Sequence, residues 1–303
     1  MFLLIANYKK YFRISKIIIF RFKMRRFKIG FFSLFFILFL LRGIIPLYNQ
    51  RSGDFLRRYF NKCRIDEINK IPENSHIIIG HAYGSPSNNN NFLAPNVIRF
   101  INQNKKKINT LVFSGDIIAN PTRYKWKQLY DFIGDDIEVY IAPGNHDIGL
   151  ESDSYIRKIF YESPLNKGTY PQKFNIGGNN IILEDSISSN WNIQSDIIRL
   201  YKSLGTGTNN IIIRHNIPVR ELTNYANSIA GLQNQLPGFK ELSKEFDDEI
   251  IIISGDTGAF KSLPRLGCWK YKNLQVIING IGEVDGDSIL LIHQENIFKH
   301  KLL

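Results

Sequence analysis

Cysteine is scarce: Cys63 and Cys268 are the two in 303 residues, too few for a disulfide framework or a thiolate metal site. One bridge between them stays compatible with an oxidising compartment, yet nothing around them pairs them, and they read as unpaired thiols. Acidic residues are missing from the first 53 positions, where eleven of the 39 Lys and Arg lie; the other 28 face all 27 Asp and Glu. The formal net charge of +12 therefore belongs to one end of the chain, and the remainder is close to neutral. That balance excludes a basic groove for a phosphate backbone outside the first segment. No helix-turn-helix, zinc-finger or aromatic RNA-binding signature occurs either, so nucleic acid is not expected as a partner.

Long apolar runs are also few, and one stands out. Arg25, Arg26 and Lys28 precede Ile29 to Leu41, interrupted by Gly30 and Ser33 alone, and after Arg42 the apolar character resumes to Tyr48. Residues 29–48 match the roughly 20 residues that a spanning helix needs, with Arg42 snorkelling and Pro46 near the far interface. No small-residue cleavage site follows, which favours a retained signal-anchor over a cleaved signal peptide or a core helix. The basic flank places residues 1–28 in the cytoplasm and the chain from residue 49 onward on the extracytoplasmic side of the membrane, in a single-pass arrangement. Met24, the second methionine, is an alternative start. Residues 49–74 read as a linker with a helical pattern from Gly53 to Glu73, and a folded domain is expected over 75–303.

Within that domain, short β-branched runs alternate with helical stretches. Ile77 to Ile79, Thr110 to Phe113, Val139 to Ala142, Ile181 to Leu183, Ile211 to Ile213, Ile250 to Ile253, Val276 to Ile278 and Ile289 to Ile292 read as buried strands. Helices are predicted over 94–104, 124–133, 152–161, 193–204 and 233–246. The alternation indicates an α/β layered fold. The run Asn88 to Asn91 reads as a solvated loop.

Residues with metal-ligand chemistry recur at one topological position, directly after these strands. In chain order they are Gly80-His81-Ala82-Tyr83-Gly84, Ser114-Gly115-Asp116, Gly144-Asn145-His146-Asp147, Arg214-His215-Asn216 and Ser254-Gly255-Asp256-Thr257-Gly258. The carboxyl ends of strands are where open α/β sheets bind ligands, so the five segments can converge. An isolated Asp or Asn there is an ordinary helix cap. Five in register point instead to a shared centre. The third segment alone offers an amide oxygen, an imidazole that titrates near neutrality and a carboxylate able to fix its tautomer, the groups that metal-assisted hydrolysis requires.

These motifs resemble the calcineurin-like metallophosphoesterase superfamily, whose order is Asp-x-His, Gly-Asp, Gly-Asn-His-Asp/Glu, a lone His, and Gly-His-x-His. Gly115-Asp116, Gly144 to Asp147 and His215 match; Leu183 to Ser186 and Gly280-Ile281-Gly282 are further similar features. The resemblance spans about residues 75–295 and implies a four-layer α/β/β/α sandwich. It implies that Asp116, Asn145, His215 and Asp256 hold one divalent metal (Mn, Fe or Zn). Two motifs depart from the pattern. His81 and Tyr83 stand where Asp and His are usual, and Asp256 and Gly258 stand where the last two His are usual. The second metal position keeps Asp116 and His81 but loses a ligand at Gly258, so one firmly bound ion is expected and a second that is weak or absent. The resemblance further implies that His146 protonates the leaving oxygen with Asp147 orienting it, and Arg214 is a candidate phosphate contact. The expected activity is hydrolysis of phosphomonoesters or phosphodiesters at a membrane. The alternative is a scaffold protein of the same fold whose metal centre has decayed.

Overall fold

Isoleucine-rich runs dictate the frame. In the strands Asn210–Arg214 and Ile250–Ser254 every residue is buried, which a β-branched sequence tolerates only in a sheet covered on both faces. The computed structural model describes residues 61–149, 153–204, 209–225, 235–258, 260, 263–293 and 297–303. The basic segment, the apolar run 29–48 and Met24 lie outside the described residues, as does the first part of the pattern expected over 53–73. Among the described residues no helix is long and apolar enough to cross a membrane.

The strands are β1 (Asn61–Lys62), β2 (Asp66–Glu67), β3 (Ser75–Ile79), β4 (Ile108–Phe113), β5 (Glu138–Ile141), β6 (Gln172–Ile176), β7 (Asn179–Leu183), β8 (Asn210–Arg214), β9 (Ile250–Ser254), β10 (Leu266–Tyr271), β11 (Leu274–Asn279), β12 (Ser288–His293) and β13 (Ile297–Leu302). They form two sheets, ordered β2-β13-β12-β3-β4-β5 and β1-β10-β11-β9-β8-β7-β6. In the first, β3, β4 and β5 run parallel; in the second, β7, β8, β9 and β11 do. The helices are α1 (Pro95–Asn104), α2 (Arg123–Ile133), α3 (Asn145–Ile148), α4 (Ser154–Tyr161), α5 (Ser195–Ser203), α6 (Arg220–Tyr225) and α7 (Phe239–Leu242). Thr122 caps α2 by accepting the Lys125 N–H at 3.2 Å, and Asp153 caps α4 by accepting the Ile156 N–H at 3.2 Å, as short polar side chains do at N-termini.

The period-two alternation of the strands sorts the core into three parts. Val112, Ile211 and Ile213 face one another between the two sheets. Leu111 and Phe113 pack outward with Trp126, Leu129 and Phe160, while Ile212 and Ile252 pack outward with Ile197, Tyr201 and Phe239. Helices thus cover the outer face of each sheet. The eight expected strands are all present, and so are the first four helices, to within a few residues at each end.

The differences have local causes. Residues 61–74 contain no helix; β1 and β2 instead add short edge strands, β1 beside β10 and β2 beside β13. Of the helix expected over 233–246, the described residues hold one turn, α7, opened by Gly238, whose N–H is taken by Glu241 at 2.9 Å. Strands β6, β10 and β13 were not expected: their polar, alternating or glycine-bearing sequences lack an apolar run. Cys63 and Cys268 are not free thiols. The β1–β10 register pairs Lys62 with Trp269, which brings the next residue opposite Cys268, and the two form a disulfide with Cα atoms 5.1 Å apart.

That bridge closes a loop of 205 residues, and a long closed loop restricts the unfolded chain. Cys63→Ser is expected to lower the unfolding free energy by about 2–4 kcal/mol in chemical denaturation of the full chain. An unchanged midpoint under non-reducing conditions would show the bridge to be absent in solution.

Candidate metal centre

Parallel strands send their carboxyl ends to the same edge, and here the two sheets do so together. His81 follows β3, Asp116 follows β4, α3 with Asn145 to Asp147 follows β5, His215 follows β8 and Asp256 follows β9. Close approach of the sheets at this edge depends on Gly255, where a Cβ would lie 1.8 Å from the Ser114 carbonyl oxygen. A side chain there would force the β4 and β9 loops apart.

Four of the expected ligands converge. His81 Nε2 is 3.4 Å from Asp116 Oδ2, and His215 Nε2 is 3.5 Å from Asp116 Oδ1 and 3.6 Å from Asp256 Oδ1. One donor atom from each of His81, Asp116 and Asp256 lies within 4.8 Å of the others. All four side chains are buried. These separations are long for hydrogen bonds, and His215 Nε2 has no hydrogen-bond partner among the described residues. They suit a shared cation: donors about 2.1 Å from one ion stand roughly 3.0–3.4 Å from each other. Nitrogen and oxygen donors of this kind fit Zn, Mn or Fe. Asn145 is half-buried at the start of α3, beside the His146 N–H that donates to Asp116 Oδ1 at 3.1 Å.

Electrostatics give the same picture. Burial pushes the Asp116 carboxyl up, but the imidazoles of His215, His81 and His146 outweigh it and hold the group below the usual range. Burial pushes His81 down to about 4, so its ring is neutral and its nitrogen lone pair available. Burial also raises Asp256 to about 6, against the pull of His215. Asp116 and His81 both occupy left-handed backbone, with φ of 55° and 50°. Such conformations cost of order 1–3 kcal/mol each and persist where the surroundings over-determine them.

Asp147 over-determines the first. Its buried carboxylate accepts the N–H groups of Asp116 (2.8 Å), Gly144 (2.9 Å), Ile117 (2.9 Å) and Ile118 (3.4 Å), tying the β4 loop to the β5 loop. This corrects the role expected for it, because Asp147 does not orient His146. The Ala119 carbonyl does, at 2.8 Å from His146 Nδ1. A carbonyl can only accept, so Nδ1 carries the proton and Nε2 is the nitrogen left for chemistry. Nε2 stands 3.4 Å from the Tyr83 hydroxyl.

Arg214 also requires correction. It is fully buried, with Nη1 3.3 Å from Glu184 Oε2 and Nη2 donating to the Trp191 carbonyl at 2.7 Å. On β8 it shares the outward face of Ile212 and not that of Ile213, so it points under the helical layer and away from any substrate. The Tyr83 hydroxyl stands toward His146, and burial and then Asp116, Asp256 and Asp147 push its phenol well up. Gly258 offers nothing, and a Cβ there would meet the Ile281 carbonyl at 2.1 Å and His81 Nδ1 at 2.3 Å. The His81 ring occupies the space that a ligand at 258 would need. Sequence reasoning missed the Ala119 carbonyl and the part played by Asn216, which donates to Asp256 Oδ2 at 3.2 Å.

Two sheets whose parallel strand ends meet around a buried His/Asp cluster make a candidate metal centre. The chain belongs to the calcineurin-like phosphoesterases: the model of that family, described as calcineurin-like phosphoesterase, matches residues 76–255. Among solved structures it is similar to the phosphopantetheinyl hydrolase PptH from Mycobacterium tuberculosis, at 10% identity and a TM-score of 0.42, over 69% of this chain and 90% of that one. No curated protein matches the chain.

Two outcomes are expected from elemental analysis of the dialysed protein. Asp116→Ala should lose bound Mn, Fe or Zn. Burial lowers the His215 imidazole, but Asp116 and Asp256 outweigh it and hold it above its ordinary value, so retention by the unaltered chain should weaken as pH falls, first as His215 and then, at about 6, as Asp256 takes up a proton that competes with the ion. Affinity unchanged between pH 7.5 and 5 would remove both residues from the ligand set. Asp147→Ala leaves four N–H groups without an acceptor and should destabilise the fold by about 4 kcal/mol or more, at about 1–3 kcal/mol per unsatisfied group, read by denaturant unfolding.

Proposed function

We propose that this chain is a metal-dependent phosphoesterase that hydrolyses phosphomonoesters or phosphodiesters at a centre holding one firmly bound divalent ion. The observation that carries the reading is His215 Nε2, buried and without a hydrogen-bond partner among the described residues, facing two carboxylate oxygens at 3.5 and 3.6 Å. Asp116, His215 and Asp256 would hold the ion with Asn145, and His81 would join from the β3 side. When bound, such an ion supplies Lewis acidity that activates water near neutral pH and draws charge from phosphoryl oxygens.

The chain's own residues account for the remaining steps. His146 keeps Nδ1–H on the Ala119 carbonyl, so Nε2 is the atom that takes a proton and returns it to the leaving oxygen. Tyr83, buried between the rings of His81 and His146 at 4.5 and 5.0 Å, holds that imidazole on its other side. Asp147 acts at one remove, by keeping Asp116 in place.

The reading extends to location. Residues 29–48 would anchor the chain in a membrane with its amino terminus in the cytoplasm. A disulfide between Cys63 and Cys268 supports an oxidising, extracytoplasmic setting for the domain, since such bridges persist there and not in the cytosol.

The test is the purified full chain supplied with Mn²⁺, Fe²⁺ or Zn²⁺ and assayed on aryl phosphates and a panel of natural phosphoesters. Turnover is expected, and His146→Ala should reduce kcat by about 10²–10⁴-fold, the usual range for a lost general acid. A protein that binds the ion yet turns over nothing, or whose rate ignores His146→Ala, would favour the scaffold reading.

A further inference from the structure

Asp256 stands where the resembled family's last motif carries an imidazole, and the exchange raises a physical problem. An imidazole presents one nitrogen to a metal, whereas a carboxylate has two equivalent oxygens and a loosely determined terminal torsion. It can chelate through both or swing away. In this chain the second oxygen is already taken: Asp256 Oδ2 accepts from Asn216 Nδ2 at 3.2 Å, which leaves Oδ1 as the atom facing His215 Nε2 at 3.6 Å.

The amide cannot turn over. The Ser186 hydroxyl donates to Asn216 Oδ1 at 3.0 Å, and Ser186 Oγ accepts the Asn216 N–H at 3.1 Å. An ionised Asp256 can only accept, so the amide NH₂ must face it, and Asn216 Oδ1 then takes the Ser186 hydroxyl hydrogen. Ser186, Asn216 and Asp256 are all buried, so water does not compete for the circuit. Ser186 comes from the loop after β7, Asn216 from the loop after β8 and Asp256 from the loop after β9. Three adjacent strand ends are thus coupled through one amide.

We propose that Asn216, set by Ser186, is a positioning residue that confines Asp256 to one coordinating oxygen, and so lets a carboxylate replace an imidazole in the metal shell. This rests on the metal-dependent reading given above. Partners of metal ligands typically alter affinity by about 10–100-fold when removed.

The experiment measures Co²⁺ affinity by chelator competition and the visible Co²⁺ spectrum, on the full chain and its variants. Asn216→Ala should weaken Co²⁺ binding by about 10–100-fold and dim the visible band, because the freed oxygen adds to the coordination number. In the Asp256→His background the same substitution should cost little, since no second oxygen remains to be held. Ser186→Ala keeps the amide but frees it to rotate, and should give a smaller loss in the same direction; it stands in if Asn216→Ala does not fold. Equal losses in both backgrounds, or an unchanged affinity and spectrum in Asn216→Ala and Ser186→Ala, would overturn the assignment while leaving the metal centre intact. Failure of the unaltered chain to bind Co²⁺ would overturn the metal reading itself, and this inference with it.

Discussion

The placing of Asp116 depends on one buried carboxylate, that of Asp147, accepting four backbone N–H groups. Those bonds tie the β4 loop to the β5 loop and hold the backbone of Asp116 in the left-handed region, helped by the Tyr83 N–H on the Asp116 carbonyl. His146 adds its own N–H to Asp116 Oδ1, and the two imidazoles of His81 and His215 flank the same carboxylate. The arrangement gathers negative charge and nitrogen lone pairs among buried side chains. Such groups are costly to bury unless a partner compensates them, and a divalent cation does so more completely than the long contacts among them.

The departures from the family pattern become coherent in this light. His81 does not merely replace a carboxylate in the first motif; its ring lies against Gly258, in the room that a histidine of the last motif would need. Tyr83, also in the first motif, fills its position with a protonated phenol that contacts His146. On the proposed reading both changes would subtract from a second ion's shell and leave the first intact. Asp256 brings back a carboxylate, hydrogen-bonded by Asn216. The centre would then be weighted toward one ion, beside an imidazole whose tautomer is fixed by the Ala119 carbonyl.

Much of this was legible in the sequence because the signals are local. Isoleucine runs such as Ile250 to Ile253 declare buried parallel strands, and a polar residue directly after such a run falls at the edge where ligands bind. That logic located His81, Asp116, His215 and Asp256. It failed where the determinant was backbone or tertiary register. The acceptor of His146 is a carbonyl, which leaves no mark in the sequence, and three of the four partners of Asp147 are N–H groups 29 to 31 positions away. Arg214 was misjudged for its proximity to His215, although alternation along β8 sets it on the face of Ile212, where Glu184 neutralises it. Strands β6, β10 and β13 lie at or near sheet edges, where one side is open and no apolar run is needed. Cys63 and Cys268 meet through the β1–β10 pairing, and nothing within 205 residues of intervening sequence announces it.

The central claim is that Asp116, His215 and Asp256 share one ion, with His81 flanking Asp116 from the β3 side. Anomalous diffraction from crystals of the protein grown with Mn²⁺ tests it most directly. The account predicts one strong peak within coordinating distance of Asp116 Oδ1, His215 Nε2 and Asp256 Oδ1, with any second peak on the His81 side far weaker. A map with no peak among these residues, or the four side chains turned away from a common point, would contradict it.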